Sequence, residues 1–192
     1  MKTIRPAAVA ATLLLTASAT GAQAGDLYGG MDYMRMTYEE NGISESVNPD
    51  GVQFRLGSFI DPAIALEGRV GLGLGETSFR PMPVSVPGGT VMVSPSIKID
   101  SFFSGYIRPE LPLGEAFHIY GLAGFTAIQT TGKGSVGGFS ATATESGTEF
   151  SYGAGATFKI DKTVWIQAEY QSLVDNGDVT LNSLNVGVNV RF

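Results

Sequence analysis

From Val52 to the last residue, apolar side chains recur at alternate positions, and the spacing of an amphipathic helix is almost absent. "GVQFRLGSF" sets Val52, Phe54 and Leu56 against Gln53, Arg55 and Gly57. "AIALEGRVGLGLG" sets Ile64, Leu66, Val70, Leu72 and Leu74 against Glu67 and Arg69. "EFSYGAGATF" puts Phe150, Tyr152 and Phe158 on one face and Glu149, Ser151 and Thr157 on the other. "VWIQAEYQ" opposes Val164, Ile166, Ala168 and Tyr170 to Trp165, Gln167, Glu169 and Gln171. The final "SLNVGVNVRF" opposes Leu184, Val186, Val188, Val190 and Phe192 to Asn185, Gly187, Asn189 and Arg191. Each segment predicts a β-strand with one apolar and one polar face. Three less regular strands are expected from about Asp26 to Tyr38, Val93 to Ile107 and Ala116 to Thr130. In the second of these, Ile97, Ile99, Phe103 and Ile107 share one face, and Lys98, Asp100 and Phe102 the other. The count is eight.

The connections alternate in length. Short turns are expected at 61–63, 109–115 and 159–162, with longer segments at 39–50, 75–93 and 131–147 and a brief one at 175–178. About the first turn, a pairing of Arg55 with Glu67 and Gln53 with Arg69 also brings Leu56 to Leu66 and Val52 to Val70. About "KIDK", Phe158 meets Val164, Tyr152 meets Tyr170 and Glu169 meets Gly153. Both registers keep the two faces separate, as a hairpin requires.

Composition narrows the architecture. Lys2 and Arg5, an apolar run from Ala7 to about Ala19 and Ala22-x-Ala24 have the layout of a cleaved secretory signal peptide over residues 1–24. Loss of Lys2 and Arg5 moves the formal net charge from −6 to −8 over residues 25–192, a single domain, and an acidic secreted chain is a poor nucleic-acid partner. The chain has no cysteine, so neither disulfides nor a thiolate metal site are open to it. Closure into a barrel or burial in a membrane would supply the missing stability.

Two eight-stranded barrels fit: a soluble, lipocalin-like one with its apolar face inside, and a membrane barrel with that face in lipid. The polar faces are rich in Gly, Ala and Ser and carry sparse charges of both signs, which suits a narrow interior better than a solvated surface. With both termini periplasmic, Tyr28, Phe59, Tyr106, Phe117, Phe158, Trp165 and Phe192 fall at one end of the strands, where an aromatic girdle is expected. The reading is an all-β, antiparallel up-and-down transmembrane barrel with short periplasmic turns and longer extracellular loops.

"ALEGRVGLGLG", "FFSGYIRPELPLGEAFHIYGLAGFT", "EFSYGAGATFKIDKTVWIQAEYQ" and "LNVGVNVRF" resemble the small eight-stranded outer-membrane β-barrels of Gram-negative bacteria. This is the outer-membrane β-barrel domain or porin family, akin to the OmpA membrane domain and OmpX. The resemblance implies a bacterial outer-membrane location, contact with lipid and lipopolysaccharide, and handling by the barrel-assembly machinery, with the terminal aromatic Phe192 as assembly signal. It also implies no cofactor. A monomer is expected. Unlike OmpA, the sequence carries no peptidoglycan-binding domain after the barrel.

Asp32, Arg55, Glu67, Arg69 and Glu169, joined by Lys98, Asp100, Glu149 and Arg191, are expected to form a buried interior network that rigidifies the barrel. The alternative is a gate in a narrow, porin-like channel. Catalysis has little to work with: the single histidine, His118, lies after the 109–115 turn with no serine beside it and cannot build a metal cluster. The segments "EENGISESVNPD" and "TGKGSVGGFSATATESG" read as solvated loops. In "PMPVSVPGGTVMV", Val84 and Val86 alternate before a turn and Val91 and Val93 after it. That predicts a hairpin extending the third and fourth strands beyond the bilayer, with an edge open to a surface or host protein. The function expected is non-enzymatic: envelope structure with a role in adhesion.

Overall fold

The structure is a computed structural model that describes residues 27–43, 45–87, 89–136 and 139–192. The expected signal peptide, 1–24, lies outside the described residues. Among the described residues there are ten strands: β1 (Leu27–Glu40), β2 (Asp50–Asp61), β3 (Ile64–Gly73), β4 (Thr77–Ser78), β5 (Met82–Val86), β6 (Gly89–Pro112), β7 (Phe117–Val136), β8 (Phe139–Lys159), β9 (Val164–Asp175) and β10 (Val179–Arg191). Eight of them pair antiparallel in a ring, β1-β2-β3-β6-β7-β8-β9-β10, and β10 returns to β1 through Tyr28↔Arg191 to Glu40↔Val179. At that seam the Phe192 amide donates to the Leu27 carbonyl (2.9 Å), and its ring lies over Gly29, where a Cβ would meet it at 3.1 Å. β4 and β5 are extra strands outside the ring, pairing with the outer part of β6.

The facing is that of a barrel in lipid. Phe54, Leu56, Leu66, Val70, Ile166 and Tyr170 are exposed, as are Leu184 at 58 % and Phe192 at 67 %, while Gln53, Arg69, Glu169, Asn185 and Asn189 are buried. No helix among the described residues is long and apolar enough to cross a membrane, which bears only on helices.

Both predicted hairpin registers are displaced by two residues. Arg55 lies opposite Arg69 and Gly57 opposite Glu67, while Ala156 lies opposite Ala168 and Phe158 opposite Ile166. The cause is the turn. Asp61 accepts from the Ala63 amide at 2.9 Å, and Asp161 accepts from the Thr163 and Val164 amides at 2.7 and 2.8 Å. Each Asx turn therefore uses residues that the tighter pairing would have placed in the strands. An even displacement keeps every side chain on its face, so the interior survives the error.

The strand near 93–107 does not keep one facing. The β6–β7 ladder passes from Ile99↔Thr130 to Ser101↔Gln129, leaving Asp100 as a bulge. Ile97 and Ile99 consequently point inward, as do Phe102 and Tyr106 beyond the bulge, whereas Phe103 and Ile107 face out. The expected aromatic girdle divides as well. Phe117, Phe158 and Phe192 are exposed, but Tyr28, Tyr106 and Trp165 are buried inside, with Tyr28 packed edge-on against Trp165 at 5.3 Å and Phe59 beside it. Their alternation partners decide this: Trp165 shares its face with Gln167 and Glu169.

Of the 131–147 segment, expected as a solvated loop, residues 131–136 and 139–147 are strand, and β7 and β8 pair out to Val136↔Phe139. The 82–93 hairpin is present, with Val84↔Val91 and Met82↔Val93, but it extends β6 alone, because β3 ends at Gly73 and β4 intervenes.

Candidate functional site

The interior has two layers. Towards the end with the termini and short turns it is polar and charged. Arg55 reaches Asp32 with its Nε at 3.1 Å and with Nη2, and its Nη1 lies 3.7 Å from Glu67 and 3.6 Å from Glu169. Arg69 binds Glu67 through Nε at 2.7 Å and Glu169 through Nη1 at 2.6 Å. Arg108, 1 % exposed, donates to Glu67 at 2.9 Å and lies over the Tyr120 ring at 3.9 Å. Tyr28 donates to Glu67 and Tyr120 to Glu169, while Gln53, Gln167 and Asn185 complete the carboxylates' hydrogen bonds. Three guanidinium groups thus face three carboxylates, and buried charges persist only when paired and hydrogen-bonded in this way.

All five residues named from the sequence, Asp32, Arg55, Glu67, Arg69 and Glu169, meet in this cluster. The sequence reading missed Arg108, although alternation from Phe102 through Ser104 and Tyr106 places it on the inner face. Pro109 hid it, because the segment from 109 reads as a turn while β6 continues to Pro112. Other expected members lie apart. Lys98 pairs with Asp100 at 3.2 Å, both partly exposed, Glu149 is half-buried further up the wall, and Arg191 sits over Phe59 and Trp165 at the rim. His118 accompanies Glu110 (2.5 Å), which Arg108 holds in turn at 3.1 Å. Among the described residues no group of His, Cys, Asp or Glu is arranged to hold a metal ion.

Towards the opposite end the interior turns apolar. Met34, Met36, Ile99, Phe102, Leu173 and Leu181 are buried together, with Tyr38, Val47, Phe79 and Ile97 above them. Phe102 owes its place to Gly71, whose Cβ position lies 2.0 Å from the ring. Leu173 continues the inward alternation of Gln167, Glu169 and Gln171, and a second bulge, between Leu181↔Val174 and Asn182↔Ser172, turns Val174 inward as well. Residues 45–49 continue beside β1 in the register of the β1–β2 pair, with the Tyr38 amide donating to the Val47 carbonyl at 2.9 Å. The sequence reading named only the charged members of the interior; Met34, Met36, Phe102 and Leu181 share that face by simple alternation with Asp32, Ser104 and Ser183, and the two bulges add Ile97, Ile99 and Val174.

A transmembrane strand needs about 9–11 residues. β6, β7 and β8, with 24, 20 and 21, run about twice that length, so a sheet projects from the end opposite the termini. Val84, Val86, Val91 and Val93 are carried on it, and Val84 and Val86 are exposed. On its flank Glu76 accepts from Lys133 and from Ser96, and these bonds hold its carboxyl below the usual range.

Among solved structures the chain is similar to Ail, the attachment invasion locus protein of Yersinia pestis: 22 % identity, TM-score 0.61, over 88 % of this chain and all of that one. Another Ail structure, at TM-score 0.59, holds the heparin analogue sucrose octasulfate. Neisserial surface protein A is similar at 12 % identity and TM-score 0.57, over 86 % of this chain and 97 % of that one. No curated protein matches the sequence. At these identities the likeness is one of fold, and it agrees with a ring of eight strands whose apolar side chains face outward. Residues 7–192 match the family described as outer membrane protein beta-barrel domain. The chain belongs to that family, and its place is the bacterial outer membrane.

Proposed function

We propose that this is a non-enzymatic, monomeric barrel that serves the envelope as a rigid scaffold and meets other surfaces through its projecting strands. Residues 1–24 act as the exported leader, the barrel-assembly machinery reads Phe192, and lipid and lipopolysaccharide surround the wall. The observation that carries the reading is the length of β6–β8, whose outer halves form a sheet that no bilayer crossing requires. The Arg55–Arg69–Arg108 cluster is the scaffold's fastening, since charges bound this closely cannot move as a gate without losing their partners.

Adhesion is tested by replacing residues 82–92 with a Gly-Ser turn. The barrel should keep its heat-modifiable gel mobility while the cells lose most of their adherence. Unchanged adherence would sink the adhesive role. The sulfated ligand of Ail suits this chain poorly: Glu39, Glu40, Glu45 and Asp178 line the mouth and would repel a polyanion. A narrow channel is the second reading, and the apolar layer across the lumen speaks against it.

A further inference from the structure

We infer that the projecting sheet takes up an extended segment of a partner polypeptide, one carrying Lys or Arg at every second position, as an added strand on the free edge of β8. The inference rests on the surface-contact reading above and names the chemistry of the partner. β9 joins β8 only from Tyr152↔Ser172 to Lys159↔Trp165, whereas β8 begins at Phe139. Among the described residues, β8 pairs only with β7 from Phe139 to Phe150, and a run of backbone donors and acceptors is left open along its other edge. The barrel wall is therefore notched on this side, between the outer part of β8 and the rim made by β1 and β10.

The side chains along this stretch are sorted by charge. Ser151 is buried in the interior and Phe150 faces out, so alternation sets Ala141, Ala143, Glu145 and Glu149 on the inner side and Thr142, Thr144, Ser146 and Thr148 on the outer. Thr144 meets Thr131 on that outer face at 3.1 Å. Ala141, Ala143 and Glu145 line a cavity of about 460 Å³ that Tyr38, Glu40 and Val179 close from the far rim. Beside it Glu39, Glu40, Glu45 and Asp178 line a second cavity of about 370 Å³. Lys133, the one base among the first cavity's lining residues, is bound to Glu76.

A strand laid on this edge has alternate side chains directed into that acidic notch and the rest beside a ladder of hydroxyls. Opposite charges across a strand pair are favourable and like charges unfavourable. Cationic residues at every second position, with small polar ones between, are the complement. A second copy of this chain is not: its own Glu145 and Glu149 would oppose these acids. In two copies in one membrane β8 also runs in the same direction, from the projecting tip towards the short turns, which excludes an antiparallel edge pair.

The test uses the full barrel in zwitterionic phosphatidylcholine nanodiscs and fluorescent peptides as probes. A peptide of Lys-Thr repeats should bind about tenfold more tightly than one of the same composition with its lysines in a block. Binding should slow amide exchange over residues 140–150, and Glu145→Lys with Glu149→Lys should weaken it about tenfold. If that pair fails to give the heat-modifiable gel shift, Glu145→Gln with Glu149→Gln replaces it. Equal binding of block and alternating peptides, unchanged exchange or unchanged affinity of the folded variant would each overturn the inference. Adherence lost on replacing 82–92 would still stand in that case, so the two readings fail separately.

Discussion

Arg55 shows how much one interior side chain holds. It touches Asp32 directly and lies within 4 Å of Glu67 and Glu169, all of them shielded from solvent. Glu67 retains Arg69, Arg108 and Tyr28 without it, but Asp32 keeps only the amides of Gln53 and Gln167 among the contacts described. Arg55→Ala should therefore cost about 3–5 kcal/mol, chiefly through an uncompensated Asp32. Urea unfolding in lipid vesicles measures it, and a midpoint equal to wild type would contradict the network. The residues of this cluster were legible in the sequence because each is a charge on the polar face of an alternating strand. Their partners were not, because the displaced register and Pro109 conceal who faces whom.

At the scale of the element, the Asx turns set the β2–β3 and β8–β9 registers. The Asp161 carboxyl is held below the usual carboxylate range by the Thr163 and Val164 backbone amides and the Thr163 hydroxyl. A lowered folded value means that its stabilisation is complete above the ordinary carboxylate pKa of about 3.9 and disappears as pH falls through the folded one. Asp161→Ala should thus be less stable than wild type at pH 7, with the gap closing below about pH 4. Asp161→Asn keeps an acceptor and should retain much of the turn at both pH values. Thermal melting in detergent across this range checks the sign; a gap that widens in acid would refute it. Hairpin 82–93 was visible in the sequence from its alternating valines, and the 131–147 hairpin was not. Its Gly, Ser and Thr residues look like loop, and only pairing along β6 and β7 makes them strand.

For the whole molecule, closure and the filled lumen decide behaviour. The layer of Met34, Met36, Ile99, Phe102, Leu173 and Leu181 fills the lumen beyond the polar cluster, and on the proposed reading the two together leave ions no path. The protein should therefore show no steady conductance in planar bilayers, and reproducible single-channel steps would restore the channel reading. Phe192 lies outside this interior, on the seam between β1 and β10. Its deletion should lower the yield of barrel in the outer membrane while protein refolded in detergent keeps its gel shift. Equal membrane yield would remove its role as a signal.

The sequence by itself determined the number of strands in the ring, the facing of the five regular ones and the inversion of the barrel, because an unbroken period of two assigns every residue to a side whatever its partner. It also placed Asp32, Arg55, Glu67, Arg69 and Glu169 on the interior face. Tertiary structure alone decided the register, the two bulges that bring Ile99 and Val174 inward, the place of Arg108 and the open edge of β8. Each of these depends on which strand lies alongside and where its pairing stops. No local pattern encodes that, since it is settled by the geometry of closing eight strands of unequal length around one axis.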